Sequence, residues 1–389
     1  MNAEEIVARH YATGQPVRVA WNKGVISEAE SISEAPVAAP WIAPSLVDLQ
    51  VNGFAGVDFQ QDQLTLDPLL FAVRGLRASG CTRFLLTLIT DDWARLLARL
   101  RHLRRVRSTC AELQHAIAGW HVEGPFLSAE PGFRGAHDPR WMRDPTAGDI
   151  RELRECTGND PVLLTMAPER HGALDAIRLA TSLGIKVSLG HTNAALEILQ
   201  RAVAAGAVAF THLGNGCPRE LDRHDNIVWR VFDLLRPPGA NLRVSLIPDG
   251  IHVSPALFRL AHRELGNSIF LVSDAMSAAG APSGRYPLGG LELEVGRDRV
   301  VRFPGSSNFA GSALRPDEGV LRAASMLGCD WQKVWKQFSE VPACLMNIPS
   351  GLAVGAPADL CAIRANGEIL QTIPALVGTA QEQVETLKR

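Results

Sequence analysis

His121-Val122-Glu123-Gly124-Pro125 closes the apolar run Ala116-Ile117-Ala118-Gly119-Trp120. A short apolar run stopped by Gly and Pro reads as a buried strand entering a loop. Glu123 then stands at the carboxyl end of that strand, where a parallel α/β barrel does its chemistry. A carboxylate there is a metal ligand, a base or an ion-paired structural group. The rest of the chain decides which.

Strand-like runs recur on both sides of this stretch, at about 45–51, 82–89, 116–122, 162–167, 185–190, 207–212, 243–248 and 269–273. Helical patterns lie between most of them, as at 92–105, 174–183 and 195–205. Such alternation predicts βαβ units, and eight strands over about 250 residues match a (β/α)8 barrel. The chain ends read differently. A short helix over 4–10 is expected, then strands at 16–21 and 24–27 around the turn Asn22-Lys23-Gly24. Near the other end, 352–355 and 358–363 read as strands, and Asn366-Gly367 turns into a strand at 368–372. The expectation is a small β-sandwich domain built from residues 1–44 and 350–389, flanking a catalytic barrel over 45–349.

Composition narrows the function classes. Lys+Arg number 39 against 41 Asp+Glu, so no net basic balance points to nucleic acid. Apolar residues form 46% of the 389, enough for a large core. The seven Cys are scattered without a CxxC pair, which argues against a zinc ribbon or disulfide framework and fits a reducing compartment. The start, Met1-Asn2-Ala3-Glu4-Glu5-Ile6, lacks a signal-peptide core, and no run approaches about 18 apolar residues. A cytoplasmic enzyme with no membrane or nucleic-acid partner is the expectation.

Polar groups collect at the expected carboxyl ends of the strands. They read Asp48-Leu-Gln50-Val-Asn52, His121-Val-Glu123, Ala167-Pro-Glu169, Gly190-His191-Thr192-Asn193, Thr211-His212, Pro248-Asp249-Gly250-Ile251-His252 and Ser273-Asp274. One glutamate and two histidines on three strands of such a rim make a His2Glu set, which suits zinc with a fourth position open to water. A lone strand histidine is more often a satisfied core residue; convergence on one rim is what favours ligation. Asp274, ending the last strand, is placed to take a proton from water and pass it to a leaving group. The bland alternative is an N-cap for a helix over 275–279.

At this point the residues resemble a family, the N-acetylglucosamine-6-phosphate deacetylases of the amidohydrolase superfamily. The matching stretches are Pro44 to Asp58 (PSLVDLQVNGFAGVD), His121 to Phe126 (HVEGPF), Gly135-Ala136-His137, Met166 to Glu169, Ser188 to Ala194, Thr211 to Asn215, Pro248 to His252, Ser273 to Met276 and Phe309 to Ala313. The resemblance implies a distorted TIM barrel with a small β-sandwich, and one divalent metal ion, zinc first, with iron and manganese also able to use such a site. It implies Glu123, His191 and His212 as metal ligands and Asp274 as catalytic acid/base. His137 is expected to stabilise the oxyanion. Ala136, His137, Asn215, Gly216, Asp249, His252, Phe309, Ala310 and Gly311 fall on substrate-contacting positions.

Many amidohydrolases carry an HxH pair on strand 1 for a second metal; this chain has Gln50-Val51-Asn52, and amides are poor zinc ligands, so one tight ion is expected. Of five lysines, only Lys186 lies in a barrel strand, at its start, which argues against a lysine-bridged metal pair. The departure follows strand 6. The family usually reads Thr-His-Leu-(aromatic)-Asn-Ala-Met; here Gly214, Gly216 and Cys217 intervene. Arg223 aligns with an arginine that reaches the sugar phosphate, often from a neighbouring subunit, which implies a homodimer; a solvated charged loop is the alternative. The expected reaction is hydrolysis of the acetamido group of an N-acetylhexosamine 6-phosphate. The rivals are an amidohydrolase for another N-acyl sugar or small amide, and a non-catalytic sugar-binding relative.

Overall fold

Eight parallel strands form one sheet in the computed structural model, which describes residues 4–236, 242–305 and 309–375. They are β1 (Leu46–Val51), β2 (Cys81–Ile89), β3 (Ile117–Glu123), β4 (Val162–Met166), β5 (Lys186–Leu189), β6 (Ala207–Phe210), β7 (Arg243–Leu246) and β8 (Ile269–Leu271). Each pairs with its chain neighbours. The crossovers carry α1 (Leu66–Ala78), α2 (Trp93–Ser108), α3 (Ala111–Ala116), α4 (Ala147–Thr157), α5 (Ala173–Ser182), α6 (Leu196–Ala204), α7 (Ile227–Leu235) and α8 (Pro255–Leu265). Every residue of β1, β3 and β4 is buried, as follows for strands covered by helices outside and a filled barrel inside.

The barrel closes without a regular ladder between β1 and β8. An isolated parallel bridge joins Val51 to Ala275, and Asn52 N–H donates to the Ala275 carbonyl at 2.7 Å. Below it, the buried Asp48 carboxylate accepts from Ser273 N–H at 3.1 Å, so a side chain stands in for missing backbone pairing. Burial pushes Asp48 up to about 7 against these hydrogen bonds.

The interior is layered. Val47, Leu49, Leu85, Leu163 and Phe270 make an apolar floor with Leu314 and Met346. Nearer the rim the filling turns polar. His121 Nε2 bonds Thr165 Oγ1 at 2.8 Å, Thr165 bonds Thr211 at 2.9 Å, and Ser188 bonds Thr211 at 2.6 Å. Burial pushes His121 down to about 4, so it sits there as a neutral hydrogen-bonding group.

The two chain ends meet in a six-stranded mixed sheet, in the order Ile369–Ile373, Leu360–Ile363, Trp41–Pro44, Glu4–His10, Pro16–Asn22, Val25–Ser31. The helix expected over 4–10 is a strand: Glu4 to Arg9 pair with Trp21 to Pro16. Seven residues are too few for a stable isolated helix, and the alternation that puts Ala8 with Val19 and Ile26 in a small core suits a pleated strand. Residues 352–355 are turn rather than strand, bracketed by Gly351 (φ 135°) and Gly355 (φ 89°). The terminal part of the expected small domain, 376–389, lies outside the described residues, as does Lys388. A three-stranded sheet (Gly284–Leu288, Leu291–Val295, Val301–Arg302) follows β8 and was not expected; it packs with Met276 and Ala310 beside the rim.

Candidate active site

Glu123 ends β3, while His191, His212 and Asp274 lie two or three residues beyond β5, β6 and β8. All four are buried. His191 (φ 50°), His212 (φ 34°) and Asp274 (φ 50°) occupy the left-handed region, which costs a non-glycine residue about 1–3 kcal/mol. The neighbouring bonds hold them there. His212 N–H donates to Ser245 Oγ at 2.7 Å, and the Asp274 carbonyl accepts from Ser312 N–H at 3.0 Å. Glycines frame the His191 ring: a Cβ at Gly135 or Gly216 would stand within 3 Å of it.

The ligand atoms of Glu123, His191 and His212 all lie within 4.8 Å of one another. His212 Nε2 is 2.9 Å and His191 Nε2 3.3 Å from Glu123 Oε1. The tautomer of His191 supplies a chemical test of fit. Its Nδ1 is 2.7 Å from the Phe133 carbonyl, an acceptor only, so Nδ1 carries the hydrogen and Nε2 presents a lone pair to the carboxylate. Two acceptors facing each other in a buried pocket call for a cation between them, and a carbonyl behind the histidine is the usual orienting partner of a metal ligand. The donor set fits one divalent ion. Burial opposes charge on Glu123, but the close imidazoles of His191, His212 and His137 outweigh it and hold the carboxyl well below the usual range.

Gln50 and Asn52, read from the sequence only as poor metal ligands, contact the acidic groups of the site. Gln50 Nε2 lies 3.2 Å from both Glu123 oxygens. Asn52 Nδ2 donates to Asp274 Oδ1 at 2.8 Å, and Asn52 Oδ1 is buried without a partner. Behind them Gln60 binds the Thr87 carbonyl at 2.9 Å and Ile89 N–H at 3.0 Å. The Q-V-N spacing on a strand carried the signal: residues two apart share a face, so both amides point into the barrel. Burial, reinforced by the charge of Glu123, pushes Asp274 up to about 7. Residues after Asp274 form a turn, and no helix for it to cap begins there.

His137 Nε2 is 3.8 Å from Glu123 Oε2, and its ring meets His191 edge-on at 4.6 Å between centroids. Burial first, and then the neighbouring His191, push it down to about 3, so it is neutral. Thr90 Oγ1 lies 2.9 Å from His137 Nδ1 and 3.3 Å from the Glu123 carbonyl; when the hydroxyl donates to the imidazole rather than to that carbonyl, Nε2 carries the hydrogen an oxyanion donor needs.

The remaining expected contact residues divide. Ala136 precedes His137, and Asn215 and Gly216 follow His212, Asn215 N–H bonding the His212 carbonyl at 2.9 Å. Asp249 accepts from Ile251 N–H (2.8 Å) and His252 N–H (2.9 Å) and lies 2.6 Å from His252 Nδ1, leaving the buried His252 Nε2 unpartnered. Phe309, 38% exposed, stands edge-on to His252 at 5.6 Å; Ala310 is buried and Gly311 (φ 69°) backs onto Met276. Arg223, on the loop after β6, is exposed and makes no hydrogen bond or ion pair among the described residues. Arg230 is engaged instead with Asp225 (2.6 Å) and the Asn193 carbonyl (3.0 Å). Lys186 sits at the opposite end of β5 from His191.

No family model matches the chain. Its sequence is 33% identical over 327 residues to N-acetylglucosamine-6-phosphate deacetylase of Danio rerio, covering 82% of this chain and 79% of that one. The enzyme of the same name from Vibrio furnissii is 32% identical over 347 residues, with 88% and 83% covered. Among solved structures, an aspartate-to-alanine variant of N-acetyl-D-glucosamine-6-phosphate deacetylase from Mycobacterium smegmatis, in complex with N-acetyl-D-glucosamine-6-phosphate, superposes with a TM-score of 0.84 at 28% identity, covering 96% of this chain and 98% of the other.

Proposed function

The chain belongs to the N-acetylglucosamine-6-phosphate deacetylase family, and from that premise we propose that it hydrolyses the acetamido group of N-acetylglucosamine 6-phosphate to glucosamine 6-phosphate and acetate. The observation that carries this reading is the buried Glu123, His191 and His212 cluster with Asp274 beside it.

Glu123, His191 and His212 would hold one divalent ion, zinc by the chemistry of the set, with iron or manganese as alternatives. Bound there, such an ion supplies positive charge that makes water easier to deprotonate and a carbonyl easier to attack. Asp274 takes the proton from the attacking water. The oxygen bonds to the acetamido carbon, and the charge that develops on the carbonyl oxygen is met by His137 Nε2–H. Asp274 then delivers its proton to the sugar nitrogen as the carbon–nitrogen bond breaks, and acetate leaves. Asn52 keeps Asp274 directed through both transfers. Ala136, Asn215, Gly216, Asp249, His252, Phe309, Ala310 and Gly311 line the approach for the sugar, with the unpartnered His252 Nε2 open to a sugar hydroxyl.

The sugar's phosphate needs a cation, and Arg223 makes no hydrogen bond or ion pair among the described residues; a guanidinium fork suits a phosphate dianion. In this reading Arg223 acts through a homodimer in which each loop serves the neighbouring site. The test is a kinetic comparison of N-acetylglucosamine 6-phosphate with N-acetylglucosamine. A kcat/KM at least about 10²-fold higher for the phosphorylated sugar is expected, the worth of a charge-assisted bidentate contact. Equal values would remove the phosphate from the substrate.

A further inference from the structure

At the amino ends of the strands, the face opposite the candidate active site, a cavity of about 510 Å³ is lined by Arg101, Arg104, Arg105 and Arg107 of α2, with Asp160 as its single carboxylate. The volume lies within the range of small-molecule sites, about 300–1,000 Å³, and far exceeds what one inorganic ion needs. Three donors already converge on one Asp160 oxygen: Arg104 Nε at 3.0 Å, Arg107 Nη1 at 3.1 Å and Trp120 Nε1 at 3.0 Å. That oxygen is saturated. Arg107 Nε is buried without a partner, and the Arg101 and Arg105 guanidinium groups make no hydrogen bond or ion pair among the described residues.

Ordinary helix electrostatics do not account for this crowding. Cations are favoured near a helix C-terminus, but the effect fades beyond the last turn. Arg101 and Arg104 lie before that turn, and Arg101 and Arg105 are like charges four residues apart, which repel. The backbone makes room as well: Gly158, at φ 59°, lies where a Cβ would strike the Arg104 guanidinium.

We propose that this cavity binds a small molecule bearing two or more phosphate groups. Guanidinium forks match phosphate oxygens in pairs, and four of them around one occupied carboxylate leave an excess of positive charge that two phosphates would neutralise. The site is separate from the deacetylase reading and stands without it.

The probe is fructose 1,6-bisphosphate, titrated against the full-length protein with thermal unfolding and calorimetry as readouts, beside sodium sulfate at matched ionic strength. The wild-type midpoint rises by about 2–4 °C and saturates. In the R101S/R105S variant the affinity falls at least about tenfold, while deacetylase activity, which also reports folding, is unchanged. R105Q alone gives an intermediate loss. Binding at the active-site rim is common to both proteins and so cannot mimic the difference. No saturable response in the wild type, an equal response in the double variant, or an equal response to sulfate each overturns the proposal.

Discussion

Asn52 Nδ2 and Asp274 Oδ1 stand 2.8 Å apart although 222 positions separate them in the chain. The bond crosses the seam where the barrel lacks a ladder, so one amide both ties β1 to the end of β8 and directs the carboxylate proposed as acid/base. Asn52→Leu, close in volume but without the donor, is expected to lower kcat about 10- to 100-fold with KM and metal content unchanged. Loss of metal instead would make Asn52 a structural strut for the ion site.

Asp274→Asn keeps the shape of the site and removes its proton carrier. Turnover should fall by about 10²–10⁴-fold, the usual worth of general acid/base catalysis, while the ion is retained. The pH profile of the unaltered enzyme follows from the same residue. Burial pushes Asp274 up to about 7, with the charge of Glu123 adding to it, and a cation among the ligands offsets that charge and favours ionisation. The working base is ionised, so kcat/KM should decline as pH falls, with its acidic midpoint below 7. A profile flat down to pH 5 would exclude Asp274.

His191→Ala removes one of three ligand atoms that lie within 4.8 Å of each other. Elemental analysis should then show the ion reduced from one per chain to a trace, with activity lost in proportion. A chelator should do the same to the unaltered protein and lower its melting temperature, because a bound ion stabilises the fold by mass action.

Arg223→Ala tests the shared-site reading. KM for N-acetylglucosamine 6-phosphate should rise about 10- to 100-fold, with little change for the unphosphorylated sugar. Mixing Arg223→Ala with Asp274→Asn subunits should restore part of the activity if the arginine serves its neighbour, and none if it does not.

Asp359 links the terminal sheet to the barrel. Its carboxylate is 2.8 Å from His115 Nε2, 3.7 Å from Arg83 and 2.9 Å from Ala375 N–H. Burial opposes its ionisation, but His115 and these partners hold the carboxyl below the usual range. Its stabilising contribution is therefore present above the unfolded carboxylate pKa of about 3.9 and is lost as pH falls through the lower folded value. Asp359→Asn should cost about 3–5 kcal/mol at pH 7, read from denaturant unfolding, and the deficit should shrink below pH 4.

Much of this was legible in the order of residues. Apolar runs broken by Gly and Pro placed all eight barrel strands within a few residues, because strands buried on both faces need continuous apolar sequence. The His2Glu set followed from its position after three such runs. The strand over 4–10 was not legible, since its pairing with residues 16–21 decides it and local propensity does not. Nor was the three-stranded sheet after β8, whose segments are short and half exposed.

What the sequence determined by itself, then, was periodicity and chemistry: alternating elements, a rim of titratable groups, and amides where a second metal pair would stand. What only the tertiary structure decided was direction. That His191 offers Nε2 because the Phe133 carbonyl holds Nδ1, and that Gln50 and Asn52 reach Glu123 and Asp274, are both consequences of closing the barrel. Closure brings together groups from opposite ends of the chain, and a hydrogen bond depends on ångströms and angles that spacing along a polypeptide does not contain.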